Sequence, residues 1–212
     1  MSDSPGRLIV VRHGESEFNA TGTWTGITDV GLTPKGHDDA CRMGELLRDV
    51  RLDRVYTSCL RRSAQTRQAL LACHGGVPSV SRKTAALNER DYGDYTGLDK
   101  ARIKALVGAG EFTHLRRGFD SVIPNGESLR DVSERVVPWY LGSVLPALLA
   151  GENVLLVGHG NSCRALRKYV EAVGDEAVVD LEMDFDKVYL YRVEADGRMR
   201  GAAEIRTLPT LT

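Results

Sequence analysis

The chain has 212 residues, of which 42% are hydrophobic and 27% are charged, a composition typical of one soluble globular domain. Normal apolar content and a net charge of −1 exclude global disorder. The 28 Lys and Arg residues against 29 Asp and Glu residues also exclude the basic excess of a general binder of nucleic acid or membrane surfaces. Any anion site must therefore be a local concentration of cations.

Short apolar runs alternate along the chain with segments of helical periodicity. The runs at residues 8–11, 55–56 and 154–157 predict central strands of a parallel sheet, because they are apolar on both faces. A late strand is predicted at residues 188–193, where the pattern alternates, and it is expected at a sheet edge.

Helices are predicted between these strands. Thr33 and Pro34 are suited to the start of a helix. Kinks are expected at Pro138 and Pro146 in the long helix predicted for residues 129–148. The predicted helices span residues 34–50, 63–73, 99–107, 129–148 and 161–173. Together the elements predict a single α/β domain over residues 1–212, a three-layer sandwich whose mostly parallel central sheet has helices on both faces. Residues 91–126 are expected to form an insertion that covers the active site.

Two of the predicted strands end in the same way. Residues 8–11 lead into Arg12, His13 and a glycine, and residues 154–157 lead into a glycine followed by His159 and Gly160. Ligands bind beyond the carboxyl ends of parallel strands. If the two strands are neighbours, both imidazoles converge there, and the glycines let backbone N–H groups approach an anion.

Three motifs resemble one enzyme family. RHGESEFN at residues 12–19 resembles the signature of the histidine phosphatase superfamily, whereas LNERDYGDYTGLDK at 87–100 and GHGNS at 158–162 resemble its cofactor-dependent phosphoglycerate mutase branch. The likeness extends from about residue 7 to 175, and the motif at 87–100 is the most discriminating. The resemblance implies a phosphoglycerate mutase-like fold in which His13 is the nucleophile.

The residue types suit phosphoryl transfer. A neutral imidazole such as His13 is a good nucleophile for phosphorus, and the guanidinium groups of Arg12 and Arg62 can each hold two phosphate oxygens. His159, if protonated, would add charge that stabilises the transition state. Glu89 is the candidate proton carrier, because one carboxyl can take and return a proton. Without the resemblance, Glu89 would be interpreted as a surface partner of its neighbour Arg90.

A mutase must hold more negative charge than a simple phosphatase. A bisphosphorylated three-carbon acid carries roughly −4 to −5, so further cations and polar groups are needed. The resemblance implies that the substrate-binding residues are Asn19, Thr25, Gly26, Arg90, Tyr92, Lys100, Arg116, Arg117, Gly160 and Asn161. Alternatively, Arg116 and Arg117 form a solvated basic turn and Tyr92 is an ordinary half-buried tyrosine.

The resemblance implies a glycolytic and gluconeogenic isomerase that interconverts 2- and 3-phosphoglycerate. It would act through a phosphohistidine primed by 2,3-bisphosphoglycerate, without a metal. The alternatives are a broad-specificity histidine-dependent phosphomonoester phosphatase and a catalytically inactive module that binds phosphorylated ligands. A metal site of His13, His159 and Glu89 has little support, because the arginines oppose a cation and the sequence lacks the usual ligand spacings.

The remaining expectations concern the environment of the protein. The sequence shows neither a transmembrane run nor a secretory signal, so a cytoplasmic protein with four reduced, buried cysteines and only small-molecule partners is expected. Monomer and homodimer both remain possible. The stretch at residues 117–126 is shorter than the corresponding stretch in longer family members, where extra segments contribute to subunit contacts. The tail at 207–212 is also short, and residues 184–188 lack the Gly-x-Pro that often precedes this strand in mutases.

Overall fold

A mixed β-sheet forms the centre of the computed structural model, which describes residues 5–209. Residues 1–4 and the last three residues of the predicted tail, 210–212, lie outside the described residues. Within that range the sheet has six strands in the order β3-β2-β4-β1-β5-β6. The strands are β1 (Arg7–Arg12), β2 (Arg54–Thr57), β3 (Val80–Lys83), β4 (Val154–Gly158), β5 (Lys187–Arg192) and β6 (Glu204–Thr207).

The three predicted central strands are confirmed. Strands β1, β4, β2 and β3 pair in parallel, whereas β5 and β6 are antiparallel to their neighbours. The expectation that the late strand lies at an edge was wrong, because β6 pairs along the outer side of β5. The sequence analysis missed β3 and β6, whose mostly exposed, polar residues carry little hydrophobic signal.

The helices follow the predicted order, with two additions and one break. They are α1 (Glu17–Ala20), α2 (Pro34–Leu46), α3 (Arg61–His74), α4 (Lys100–Val107), α5 (Ala109–Arg117), α6 (Leu129–Trp139), α7 (Leu145–Leu149) and α8 (Gly160–Val170). Short 3₁₀ turns occur at Ala85–Leu87, Gly93–Tyr95 and Ala177–Asp180. The side chain of Thr33 accepts a hydrogen bond from the backbone of α2 and caps that helix, as predicted. Helices α1 and α5 were not predicted.

The long helix predicted for residues 129–148 is interrupted rather than only kinked. A π-helical turn, Tyr140–Val144, separates α6 from α7. Pro138 and Pro146 lie on either side of the turn, and each removes an N–H from the helical ladder. The local change from α to π geometry accommodates the lost bonds.

Both faces of the sheet are covered, which confirms the three-layer sandwich. On one face Ile9, Val11 and Leu155 pack against Met43 of α2 and Leu70 of α3. On the other face the alternate strand residues pack against α6, the π turn, α7 and α8. Burial on both faces explains why the central strands are continuously apolar. None of the helices in residues 5–209 is long and apolar enough to cross a membrane.

The cysteines differ from the expectation of four reduced, buried thiols. Cys41 of α2 and Cys73 of α3 form a disulfide, so the expectation was wrong for this pair. Cys163 is free and buried as expected, whereas Cys59 is free but exposed. The pairing depends on how α2 packs against α3, and no local sequence spacing reports that contact.

Candidate active site

His13 and His159 meet at the carboxyl edge of the sheet. Arg12 and Gly158 are paired in the register of β1 and β4, and the backbone N–H of His13 donates to the carbonyl of Gly158 at 2.9 Å. Both histidines are buried, and their ring centroids lie 4.7 Å apart. Adjacent parallel strands thus bring together two side chains that are remote in sequence.

The imidazole of His13 has one ring nitrogen committed to the backbone. Its Nδ1 lies 2.6 Å from the carbonyl oxygen of Gly14. A carbonyl only accepts hydrogen bonds, so Nδ1 is the protonated nitrogen and Nε2 carries the free lone pair. Burial, together with the charges of Arg62 and Arg12, lowers the pKa of His13 well below its ordinary value. The ring is therefore a neutral imidazole at neutral pH, with Nε2 available as a nucleophile.

His159 has both ring nitrogens occupied. Nε of Arg62 donates to Nδ1 at 3.2 Å, which makes Nε2 the protonated nitrogen, and Nε2 donates to the hydroxyl of Ser58 at 2.7 Å. Burial and the nearby His13 and arginines lower the pKa of His159 well below its ordinary value. In this structure His159 is therefore a neutral ring that orients Arg62, rather than the extra positive charge considered from the sequence.

Arg62 is buried and held on three sides. Its Nη1 and Nη2 groups donate to the carbonyls of Thr28 at 2.8 Å and Gly26 at 2.9 Å, in addition to the bond from Nε to His159. Burial lowers the pKa of Arg62 to about 10, so the group still carries its charge at neutral pH. Its position is thus fixed before any ligand arrives.

Arg12 is anchored less completely. Its Nη1 donates to the carbonyl of Met183 at 3.1 Å, and its guanidinium carbon lies 3.7 Å from the centre of the Phe185 ring. Burial lowers the pKa of Arg12. Its Nε is buried and has no hydrogen-bond partner within residues 5–209. A buried, unpartnered donor on a cation next to His13 is suited to an anionic ligand.

Glu89 lies beside the histidines and is 7% exposed. Its Oε1 accepts from the backbone N–H groups of Arg90 at 2.8 Å and Asn161 at 3.1 Å. Both bonds use Oε1, so Oε2 accepts no hydrogen bond from the residues that the structure describes. The surface Glu–Arg pair considered from the sequence is absent from this region, because both side chains are buried.

All of these groups except His159 line a cavity of about 660 Å³, part of which is open to solvent. It is lined by Arg12, His13, Asn19, Thr25, Arg62, Glu89, Tyr92, Lys100, Arg116, Arg117, Gly160, Asn161, Arg164, Glu182 and Met183. The lining contains six cationic side chains and two carboxylates. No cluster of three or more His, Cys, Asp or Glu residues within 5–209 could hold a metal ion.

Two residues predicted to bind substrate do not line the cavity. Gly26 has φ near +53°, a conformation that favours glycine, and it contributes its carbonyl to Arg62. Arg90 is fully buried and donates to the carbonyls of Glu127, Leu115 at 2.9 Å and Ser121 at 2.8 Å. The interpretation of Arg90 as a ligand contact is therefore corrected: it holds the segment that follows α5.

One wall of the cavity is built around Asn161 at the start of α8. Its amide donates to the Tyr92 hydroxyl at 2.6 Å and accepts from Arg164 at 3.0 Å. Lys100 and Arg116 face this region without a carboxylate partner in the part of the chain that the structure describes. Burial and the charges of Arg116 and Arg12 lower the pKa of Lys100 to about 8, as expected for a cation held among other cations.

Three lining residues were missed by the sequence analysis. Arg164 follows Asn161 by three positions on one helix, and such residues share a helix face, so this signal could have found it. Glu182 and Met183 lie between the last 3₁₀ turn and β5. Nothing in their local sequence indicates that this irregular segment returns to the site.

The α/β sandwich and the buried histidine pair with its arginines are suited to phosphoryl transfer through a histidine. The sequence pattern of the histidine phosphatase superfamily (branch 1) matches residues 8–204, and the chain belongs to this superfamily. The chain is 39% identical to the 2,3-bisphosphoglycerate-dependent phosphoglycerate mutase of Bartonella quintana, with 89% of this chain and 93% of the relative covered. It is 40% identical to the enzyme of the same name from Cytophaga hutchinsonii, with 89% of each chain covered.

Solved structures of similar fold include enzymes named as phosphatases. A mycobacterial glucosyl-3-phosphoglycerate phosphatase in complex with VO₃ superposes with a TM-score of 0.78 at 25% identity, covering 95% of this chain and 98% of the other. Bacillus stearothermophilus YhfR superposes with a TM-score of 0.81 at 26% identity, covering 94% and 96%. The two sequence relatives are thus named as mutases, whereas one of the two structural neighbours is named as a phosphatase.

Proposed function

We propose that this enzyme is a phosphoglycerate mutase that interconverts 2- and 3-phosphoglycerate in glycolysis and gluconeogenesis in the cytoplasm. The observation that carries the proposal is the strongly cationic cavity beside the neutral His13 and Glu89, because six cations against two carboxylates suit a doubly phosphorylated ligand. The relatives at about 40% identity with mutase names support it. In this proposal residues 1–212 form one domain, and residues 91–126 cover the site through Tyr92, Lys100 and the end of α5.

The residues present fit 2,3-bisphosphoglycerate. Its charge of roughly −4 to −5 matches a cavity in which six cations outnumber two carboxylates. The groups that would hold it are Nε of Arg12, Lys100 and Arg116, for which residues 5–209 supply no hydrogen-bond partner in the case of Nε and no ion-pair partner in the case of the two cations. Asn19, Thr25 and Tyr92 would be polar contacts. When bound, this compound supplies the phosphoryl group that primes the nucleophile.

The proposed chemistry uses groups of this chain in fixed positions. Nε2 of His13 attacks the phosphorus, so that an N–P bond forms as the ester P–O bond breaks. Glu89 in its protonated form gives the proton to the leaving oxygen and becomes a carboxylate, and that carboxylate takes a proton back from the substrate hydroxyl when the phosphoryl group is returned. Arg12 and Arg62 neutralise the equatorial oxygens of the transition state. His159 holds Arg62 in place for that task.

A second candidate activity is hydrolysis of phosphomonoesters. It is favoured by the phosphatase name of the solved structure that superposes over 95% of this chain. Both activities use the same nucleophile and arginines, and they differ in whether water or a second hydroxyl accepts the phosphoryl group. Exclusion of water from the loaded site therefore decides between them.

The test is an assay with 3-phosphoglycerate in the presence and absence of 2,3-bisphosphoglycerate. The proposal predicts that 2-phosphoglycerate forms faster than phosphate is released, that the bisphosphate stimulates the reaction, and that chelators have no effect. His13→Ala should abolish both activities, whereas His37→Ala, a histidine outside the cavity, should retain them. Phosphate release without formation of 2-phosphoglycerate would support the phosphatase instead.

A further inference from the structure

Glu182 places a negative charge in the lining of the cationic cavity. Its Oε1 pairs with Nη1 of Arg117 at 2.5 Å, and the same Nη1 lies 3.3 Å from the carbonyl of Val179. Arg117 therefore already has an anionic partner, unlike Lys100 and Arg116 within residues 5–209. The ion pair reduces the positive charge that the cavity offers to a ligand.

The backbone around Glu182 is fixed by three arginines. Arg164 donates to the carbonyl of Leu181 at 2.9 Å, Arg167 donates to the carbonyl of Glu182 itself, and Arg12 donates to that of Met183. Three consecutive carbonyls are thus held by buried or half-buried guanidinium groups. The placement of the carboxylate next to Arg117 is consequently a property of the fold rather than of a free loop.

We propose that Glu182 is a specificity-determining residue. By occupying Arg117, its carboxylate lowers the anionic charge that the cavity accepts and favours singly over doubly phosphorylated three-carbon acids. The inference rests on the proposed function, because it assumes that phosphoglycerates bind in this cavity. It goes further because it assigns to one residue the relative affinity of the cavity for the substrate and for the priming compound.

The charges of the two ligands give the expected effect of Glu182→Gln, which keeps the shape and removes the charge. 3-Phosphoglycerate carries roughly −2.5 to −3, whereas 2,3-bisphosphoglycerate carries roughly −4 to −5. An electrostatic gain scales with ligand charge, and the exposed ion pair keeps it modest. We expect the Kd to fall by about fivefold for the bisphosphate and about threefold for 3-phosphoglycerate.

The experiment is calorimetric titration of both ligands, with every protein carrying His13→Ala so that no phosphoryl group is transferred. Tighter binding is a useful signal because damage to the fold would weaken binding. Glu45→Gln is the matched control: Glu45 pairs with Arg48 at 3.4 Å with a similarly exposed side chain, lies outside the cavity, and should leave both Kd values unchanged. Arg117→Gln, alone and combined with Glu182→Gln, completes a double-mutant cycle.

The cycle distinguishes the possible outcomes. If Glu182 acts by occupying Arg117, less than half of the gain in log Kd should remain in the Arg117→Gln background. Unchanged or weaker binding by Glu182→Gln, or a gain that remains mostly intact without Arg117, would overturn the inference and leave the proposed function standing. Failure of the parent protein to bind either phosphoglycerate would overturn the proposed function and this inference together.

Discussion

Replacing Arg164 with methionine removes a guanidinium group that joins three parts of the site. The side chain is 6% exposed and donates to Leu181 O at 2.9 Å, Asn161 Oδ1 at 3.0 Å, Arg117 O at 2.7 Å and Val178 O at 2.6 Å. A buried acceptor left without its donor costs about 1–3 kcal/mol. Some of these acceptors can reach water in the adjacent cavity, so the expected loss of unfolding free energy is about 3–5 kcal/mol.

The assay is urea unfolding followed by circular dichroism, with the free energy of unfolding obtained by linear extrapolation. Arg164→Lys should fall between the parent protein and Arg164→Met, because an ammonium group keeps the charge but cannot span the separated carbonyls. Arg102→Met, an exposed arginine of α4, should change stability by less than about 0.5 kcal/mol. A loss below about 1 kcal/mol for Arg164→Met would refute the reasoning that these bonds hold this part of the cavity wall together.

Three further predictions follow from the titrating groups and the disulfide. The folded pKa values of His13 and His159 are depressed, so the unfolded rings take up protons first and the unfolding free energy should fall as pH drops below about 6.5; equal urea midpoints at pH 7 and pH 5.5 would contradict this. Because the pKa of Lys100 is about 8, kcat/KM for 3-phosphoglycerate should decline above that pH, and Lys100→Arg should extend the plateau to higher pH. An identical pH profile for Lys100→Arg would refute a role for the lysine charge. Reducing the Cys41–Cys73 disulfide, which joins residues 32 positions apart, should cost about 3–4 kcal/mol; a Cys41→Ser, Cys73→Ser variant whose stability matches the oxidised protein would show otherwise.

The central part of the fold could be predicted because burial on both faces leaves a strong pattern. Apolar runs identified β1, β2 and β4, and the rule that ligands bind at the carboxyl ends of parallel strands indicated that His13 and His159 could meet. Edge strands carry less information. In β3 and β6 the side chains are mostly exposed, so their pairing depends on the neighbouring strand rather than on their own sequence.

The site shows where sequence reasoning reaches its limit. Arg90 lies in the motif at residues 87–100 and Arg116 follows it, and both were predicted to bind substrate. Arg90 donates its hydrogen bonds to backbone carbonyls, whereas Arg116 lines the cavity. The difference depends on the path of the segment after α5, which is set by tertiary packing. The protonation of His159 likewise depends on Arg62 and Ser58, which are distant in sequence. Glu182 is held at the cavity because Arg164, Arg167 and Arg12 donate hydrogen bonds to the backbone carbonyls of residues 181–183.

The most direct test of the account is whether His13 carries the phosphoryl group. Incubation of the protein with labelled 2,3-bisphosphoglycerate, followed by peptide mapping under alkaline conditions, should locate a base-stable, acid-labile label at His13. The label should be absent from His13→Ala and present in His37→Ala. Label on His159 or another residue, or no covalent label while 2-phosphoglycerate is still formed, would contradict the assignment of His13 as the nucleophile.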